Sequence, residues 1–329
     1  MDIFVTIPDG ELRETFFPGR LRDRLDSLGT VTWTDSTDDL TETELRERIA
    51  GVEVLVTGWG SPRVTAEVLD AADDLELVAH TGGSVGSLVS EAVYDAGVSV
   101  VSANDVMAEF TAEHAFALIL SDLRAVPDLD RGMGFGEWAG DDTDIRTLYG
   151  AEVGLVGLGT VGRTLLDYLA PFDVAVRVYD PYVDPEDLAE FSHAELVDLE
   201  TALDSSVVSV HAARTEETVG MLDADHLAQV PDDALFVNTA RAEIVDEAAL
   251  LEEVKSGRFR CALDVYHEEP LPPEAELRQV DGALLTPHVG GSQIRPPLTE
   301  AVLDDIERFQ CGEELVHAIP REQWKTMTR

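Results

Sequence analysis

The sequence predicts an α/β protein of two doubly wound, parallel-sheet domains, and three observations lead there. Short apolar strand runs alternate with amphipathic helical patterns from residue 3 onward. A glycine-rich fingerprint, Gly157-x-Gly159-x-x-Gly162, appears only in mid-chain, after one alternating set is complete. Further strand runs then follow at 207–211, 234–239, 261–265 and 283–286. At 329 residues and 44% apolar composition, the chain is long enough for two cores.

In order, strands are predicted at 3–7, 52–57, 75–80 and 98–101, with helices around 12–28, 42–50 and 85–96. Residues 108–130, with Phe110, Ala115, Phe116, Leu118, Ile119, Leu120 and Leu123, are predicted to form one long, largely buried helix. Such a helix can tie two domains or two subunits together. Gly132-Met-Gly-Phe-Gly136 has no strand before it and is expected to be a loop. A strand at 153–156 feeds the fingerprint, a helix runs on through 163–170, and a strand at 174–179 ends in Asp180. Helices are expected at 223–230 and 246–256, and a last one at 296–309 should return to the first domain, because the second sheet is already full.

The fingerprint has a physical reading. Gly157 serves the tight turn, Gly159 the approach of the backbone to a pyrophosphate, and Gly162 the close packing of the helix. The helix start adds free amides and a partial positive charge. Asp180 lies 18 residues past Gly162, near the spacing of about twenty expected for an acid that accepts the adenosine ribose hydroxyls. A 2′-phosphate would meet that carboxylate unfavourably, so NAD is expected and NADP disfavoured. Arg177, the nearby cation, sits inside the strand and is read as facing outward.

The charge is extreme: 66 acidic residues against 23 Lys and Arg leave a net of −43, and Lys255 and Lys325 are the only lysines. Self-repulsion of this size destabilises a compact chain at low ionic strength. At 1 M salt the screening length falls to about 3 Å, which removes most of the penalty. A salt-loaded, halophile-like cytoplasm is therefore expected. The acids are spread, as in Asp38-Asp39, Asp73-Asp74, Asp141-Asp142, Glu252-Glu253, Asp304-Asp305 and Glu313-Glu314, which suits a solvated shell better than a docking tail. A polyanion repels phosphate backbones, so no nucleic-acid partner is expected. No apolar run is long enough for a membrane span. The opening Met1-Asp-Ile-Phe-Val-Thr-Ile-Pro reads as a first strand rather than a signal peptide. Cys261 and Cys311 are expected to be buried thiols, and no histidine shows metal-ligand spacing, so no metal is expected.

Ligands of doubly wound sheets sit beyond the carboxyl ends of the strands. The residues there are Asn238-Thr-Ala-Arg241, Leu263-Asp264-Val265, Glu269-Pro270 and Thr286-Pro-His288. Histidine suits proton transfer near neutral pH, a carboxylate beside it fixes its orientation, and an arginine fork holds a carboxylate. His288, Glu269 and Arg241 supply these groups. Taken singly, each also fits a surface ion pair, one more acid of the shell, or a strand-end cap.

The chain resembles the D-isomer-specific 2-hydroxyacid dehydrogenases in five ordered blocks. These are Val106-Met-Ala-Glu-Phe-Thr-Ala-Glu-His-Ala-Phe-Ala-Leu, Leu148-Tyr-Gly-Ala-Glu-Val-Gly-Leu-Val-Gly-Leu-Gly-Thr-Val-Gly-Arg, Asn238-Thr-Ala-Arg, Ala262-Leu-Asp-Val with Glu269-Pro, and Leu285-Thr-Pro-His. The resemblance implies an NAD(H)-dependent interconversion of 2-oxo acids and D-2-hydroxy acids. It makes His288 the acid/base, Glu269 its partner and Arg241 the substrate-orienting arginine. It puts Thr160 and Val161 on the pyrophosphate turn, Thr239 and Ala240 along the nicotinamide, and Asp264 at its carboxamide side. Gly82, Gly83 and Ser84 take the place of the substrate-carboxylate loop, whose amides can form an anion nest. It also implies a flavodoxin-like substrate domain from 1–104 and 290–329, a Rossmann domain from 105–289, a cleft between them, and a homodimer through the long helix.

His211 is expected to be structural, His114 packed, and His80 placed beside the carboxylate loop. The chain departs from the family at Ser84-Val-Gly-Ser, Ala242-Glu243, Ala213 and Val289-Gly-Gly-Ser-Gln-Ile-Arg-Pro, which leaves the particular 2-oxo acid open. The rival reading is an NAD-sensing corepressor or scaffold of the same fold with little turnover.

Overall fold

Runs such as Val54-Leu-Val-Thr and Val207-Val-Ser-Val are apolar on both faces, as strands covered by helices on each side must be. A computed structural model describes residues 1–138, 144–291 and 293–328, and its backbone divides into two units, Met1–Ala108 with Ser292–Arg329, and Glu109–Gly291. Asp141 and Asp142 lie outside the described residues.

The first unit holds β1 (Asp2–Val5), β2 (Thr30–Trp33), β3 (Val54–Thr57), β4 (Leu77–His80) and β5 (Ser99–Ser102). They form one parallel sheet in the order β2-β1-β3-β4-β5, the flavodoxin-like order, with its switch point between β1 and β3. Strand β2 escaped the sequence reading because this edge strand, Thr-Val-Thr-Trp, is only half covered. The helix Pro296–Cys311 does return to this unit, burying Leu298, Val302, Leu303 and Ile306, and Arg24 bonds its Asp304 and Glu307 at 2.6 and 2.7 Å.

Two expectations are corrected here. The helix expected at 85–96 is confined to Glu91–Asp95. Val64 N–H donates to Leu88 O and Ser90 N–H to Val64 O, drawing 88–90 into extended backbone. Asp305, expected in the solvated shell, is fully buried and accepts the amides of Val316 and His317 at 2.8 and 2.7 Å.

The second unit holds β6 (Glu152–Val156), β7 (Ala175–Tyr179), β8 (Ala194–Leu196), β9 (Val207–Val210), β10 (Leu235–Asn238), β11 (Arg260–Leu263) and β12 (Ala283–Leu285). Its parallel sheet runs β12-β11-β10-β9-β6-β7-β8, the Rossmann order with a seventh strand, and its switch point lies between β6 and β9. Three-residue β8 is too short for a periodic signal.

The single helix expected over 108–130 is two helices, Asn104–Leu123 and Val126–Gly134, so Gly132 and Gly134 are helical rather than loop. Pro127 has no N–H to continue the first helix and its ring crowds the preceding turn, while Ala125 turns the chain at φ 49°. Cys261 is buried, but Cys311 is exposed, because it ends its helix beside the left-handed Gly312. Among the described residues no helix is long and apolar enough to cross a membrane, and no group of three His, Cys, Asp or Glu is placed to hold a metal ion.

Candidate active site

The glycine turn opens the switch point of the second unit. Gly157 has φ +98°, and a Cβ there would lie against the backbone of Ala212, within 2.6 Å of its Cα, where the chain leaves β9. A Cβ on Gly162 would meet Gly157 O at 2.8 Å, so this glycine sets the approach of helix Thr160–Leu169 to the strand. Beside Gly159 there is open space. Among the described residues the amides of Gly159, Thr160 and Val161 donate to no backbone carbonyl. Free amides beside open space at a helix start fit the pyrophosphate of a dinucleotide. Asp180, at the end of β7, accepts Leu158 N–H with Oδ2 at 2.8 Å and Tyr182 N–H with Oδ1 at 2.9 Å. Its carboxylate thus lies on the turn itself. Arg177 pairs with Glu152 at 2.7 Å and bonds Asp204 O, away from this turn.

After β10, Asn238 staples the next turn: its Nδ2 donates to Arg241 O and its Oδ1 accepts Ala240 N–H, at 2.9 and 3.0 Å. Thr239 is buried in that turn, and its hydroxyl has no hydrogen-bond partner among the described residues. Arg241 Nη1 donates to Ala240 O at 2.6 Å. Burial lowers the guanidinium's pKa, Glu243 and Glu269 oppose that shift, and Arg214 adds to it. Glu243, part of the Ala242-Glu243 departure from the family, is paired with Arg214 at 2.9 Å.

The loop after β12 is held from below. Asp264, 1% exposed, accepts Thr286 Oγ1–H at 2.6 Å and Val289 N–H at 3.0 Å with Oδ1, and Gly290 N–H at 2.8 Å with Oδ2. Burial pushes its carboxyl up, but bonds from His114, Thr286 and the two amides outweigh this and hold it below the usual range. The grip matters because His288 between those contacts has φ +51°, a left-handed conformation that costs about 1 kcal/mol for a residue with a Cβ. There His288 Nδ1 meets Glu269 Oε2 at 2.7 Å, with its side chain 42% exposed. Glu269 Oε1 accepts Tyr266 N–H at 2.9 Å, and Tyr266 Oη donates to Leu263 O and Thr286 O, tying the ends of β11 and β12.

Arg241, Glu269 and His288 therefore gather beyond the ends of β10 to β12, within one unit. Asp264, expected at the nicotinamide, has both oxygens engaged by the loop that carries His288. His114, expected only to be packed, reaches Thr286 Oγ1 at 2.9 Å and lies 3.5 Å from Asp264 Oδ1. Tyr266 drew no attention in the sequence and Asn238 stood there only as part of a strand-end block, since a buried hydroxyl or amide bonding to backbone leaves no local pattern.

In the first unit, the Gly82, Gly83 and Ser84 amides donate to no backbone carbonyl among the described residues. Ser84 Oγ donates to Thr328 O at 2.6 Å and accepts Gly86 N–H, so its hydroxyl shapes the loop. A Cβ on Gly82 would come 2.5 Å from His80 Nε2, and one on Gly83 2.8 Å from Met107 Sδ. His80 is buried with Nδ1 3.0 Å from Thr57 Oγ1, and His211 is buried with Nε2 2.8 Å from Ser209 Oγ. Burial pushes both imidazoles down to about 4, which leaves them neutral at pH 7.

Two parallel sheets and a glycine-rich dinucleotide turn define a nucleotide-binding α/β fold, and the chain belongs to the D-isomer specific 2-hydroxyacid dehydrogenase family. The model of that family's NAD-binding domain matches residues 116–290, more than half of the chain. Among relatives, the D-3-phosphoglycerate dehydrogenase of Archaeoglobus fulgidus is 36% identical over 84% of this chain and 53% of its own length. The glyoxylate reductase of Korarchaeum cryptofilum is 31% identical over 81% of this chain and 82% of its own. The chain thus spans about half the length of the D-3-phosphoglycerate dehydrogenases it matches. The crystal structure of a phosphoglycerate oxidoreductase from Rhizobium etli is similar, with TM-score 0.81 and 25% identity over 98% of this chain and 99% of that one.

Proposed function

We propose that the protein is an NAD-linked D-2-hydroxyacid dehydrogenase that interconverts 2-oxo acids and D-2-hydroxy acids. The observation that carries this reading is the 2.7 Å His288–Glu269 pair on a left-handed loop held by buried Asp264. Bound nicotinamide supplies or takes the hydride at the substrate's C2. With Nδ1 on the carboxylate, His288 presents Nε2 to the substrate oxygen, donating a proton in reduction and taking it back in oxidation. Arg241 offers its guanidinium fork to the substrate carboxylate, and partial burial strengthens that bond by limiting competition from water. In the first unit, the amides of Gly82, Gly83 and Ser84, which donate to no backbone carbonyl among the described residues, suit a carboxylate. Asp264 acts through the loop, as a positioning residue.

NAD is favoured because Asp180 brings its charge onto the glycine turn, where a 2′-phosphate would be repelled. A homodimer is supported by a run of exposed large apolar residues just beyond the long helix, Val126, Met133, Phe135, Trp138, Ile145 and Tyr149. That shifts the expected interface from the helix, whose Ala112, Ala115, Leu118 and Ile119 are already buried. The net charge of −43 supports a halophile-like cytoplasm. Melting temperature should fall as KCl drops from about 1 M to about 0.05 M, since the screening length grows several-fold.

The decisive assay is NADH oxidation in molar KCl with glyoxylate, hydroxypyruvate, pyruvate and longer 2-oxo acids. Turnover of at least one is expected. NADH binding with none turned over would overturn this reading in favour of an NAD-sensing corepressor or scaffold.

A further inference from the structure

The first unit holds an arginine that this reading leaves unused. Arg295 precedes helix Pro296–Cys311, and its guanidinium carbon lies 5.5 Å from the ring centroid of Phe16 and 5.2 Å from that of Trp59. The two rings meet edge to face at 5.1 Å. Arg295 Nη1 donates to Thr15 Oγ1 at 2.7 Å, while its Nε–H is buried with no hydrogen-bond partner among the described residues. Two rings and a hydroxyl thus hold the planar fork at little further entropy cost.

Among the described residues no carboxylate lies within ion-pair range of Arg295, although acids outnumber Lys and Arg 66 to 23. Glu300 of its own helix pairs with Arg20, and Glu14 lies 3.8 Å from Arg22. Pro296 and Pro297 carry no N–H, so the positive charge at this helix start belongs mainly to the guanidinium. An aromatic-clamped cation left unneutralised in a polyanion is available to an anion from outside.

Its place in the fold indicates which anion. Phe16 ends the first helix after β1, Trp59 follows β3, and Gly82 follows β4, so all lie beyond the carboxyl edge of one sheet, around its switch point. Trp59 connects the cation to the carboxylate loop, for a Cβ on Gly82 would come 3.0 Å from Trp59 Nε1. We propose that Arg295 is a specificity-determining residue that receives a second oxyanion, a phosphate or a distal carboxylate, on a 2-oxo acid whose own carboxylate occupies the Gly82–Ser84 loop. This rests on the protein being a 2-oxo acid reductase.

The test compares kcat/KM at one KCl concentration for 2-oxo acids of matched length ending in phosphate, carboxylate or hydroxyl. Wild type should favour one of the two anionic arms over the hydroxyl arm by at least about tenfold, and which arm wins identifies the oxyanion. In Arg295→Met the anionic-to-neutral ratio should fall about 10- to 100-fold, chiefly through KM, as expected for loss of a charge-assisted bond. Arg295→Lys should restore part of it. Should the Met variant not fold, Arg295→Gln serves the same comparison, with NADH binding as the check of integrity. Turnover without anionic preference, or a preference that survives neutralisation of Arg295, would overturn this assignment alone. Absence of turnover on every 2-oxo acid would overturn the parent reading and this one with it.

Discussion

Strands β4, β9 and β12 each run into a histidine, yet the three side chains stand in opposite environments. His80 and His211 are buried against one hydroxyl each, and burial pushes them down to about 4. His288 is 42% exposed and bonded to a carboxylate. The same residue type at the same place in a βα unit is a neutral core group in two cases and a candidate proton carrier in the third. Water access and the partner decide the role.

Removing each histidine in turn separates the two environments. His288→Ala should lower kcat by about 10²- to 10⁴-fold, the usual contribution of a general acid/base, with NADH binding retained by fluorescence titration. A comparable loss for His211→Asn at equal stability would show that the buried histidine is chemical after all.

The closed pair should instead appear in acid stability. A folded-state pKa lowered from 6.5 to about 4 means the unfolded chain binds the extra proton first. The neutral histidines' contribution is fully present above pH 6.5 and is lost as pH falls through the window down to about 4. Each is worth up to roughly 3 kcal/mol there. Urea melts between pH 7 and 4.5 should show this slope, and His80→Gln should flatten it; an unchanged slope would mean His80 is reached by water.

A third comparison sets the loop of His288 against its anchor. Asp264→Asn puts an NH₂ group or a single acceptor where Thr286 Oγ1–H and the amides of Val289 and Gly290 converge beside His114, and should cost about 1–3 kcal/mol of stability. Turnover should fall with it, and an unaltered pH–rate profile with reduced kcat would separate positioning from proton transfer. The smallest effect is expected at the glycine turn. Asp180→Ala should raise the NADPH-to-NADH ratio of kcat/KM by about tenfold, within the 1–3 kcal/mol range for a charged hydrogen bond. Since Asp180 also holds Leu158 N–H, KM for NADH should rise too; a constant ratio would mean the ribose is read elsewhere.

Much of this was legible because it rests on local chemistry. Gly157 and Gly162 show in the structure the crowding their spacing implied, Gly159 stands beside open space, and Glu269 and His288 meet although 19 residues separate them. What stayed hidden depends on neighbours distant in sequence. Edge strand β2 has no continuous apolar run, the break at Ala125 turns on one proline, and Asp305 reads as one more acid until two amides 11 and 12 residues away close on it.

The α/β class, the two parallel sheets, the glycine-rich turn and the strand-end positions of Arg241, Glu269 and His288 were readable in the sequence alone, because strand periodicity, glycine sterics and strand order are written in short segments. Tertiary packing was needed to show that burial keeps His80 and His211 neutral, that Asp264 holds the His288 loop, and that Arg295 is clamped by Phe16 and Trp59 with no carboxylate in ion-pair range among the described residues. Those are properties of burial and of partners brought together across hundreds of residues. Charge and solvation act through space, and no local pattern records them.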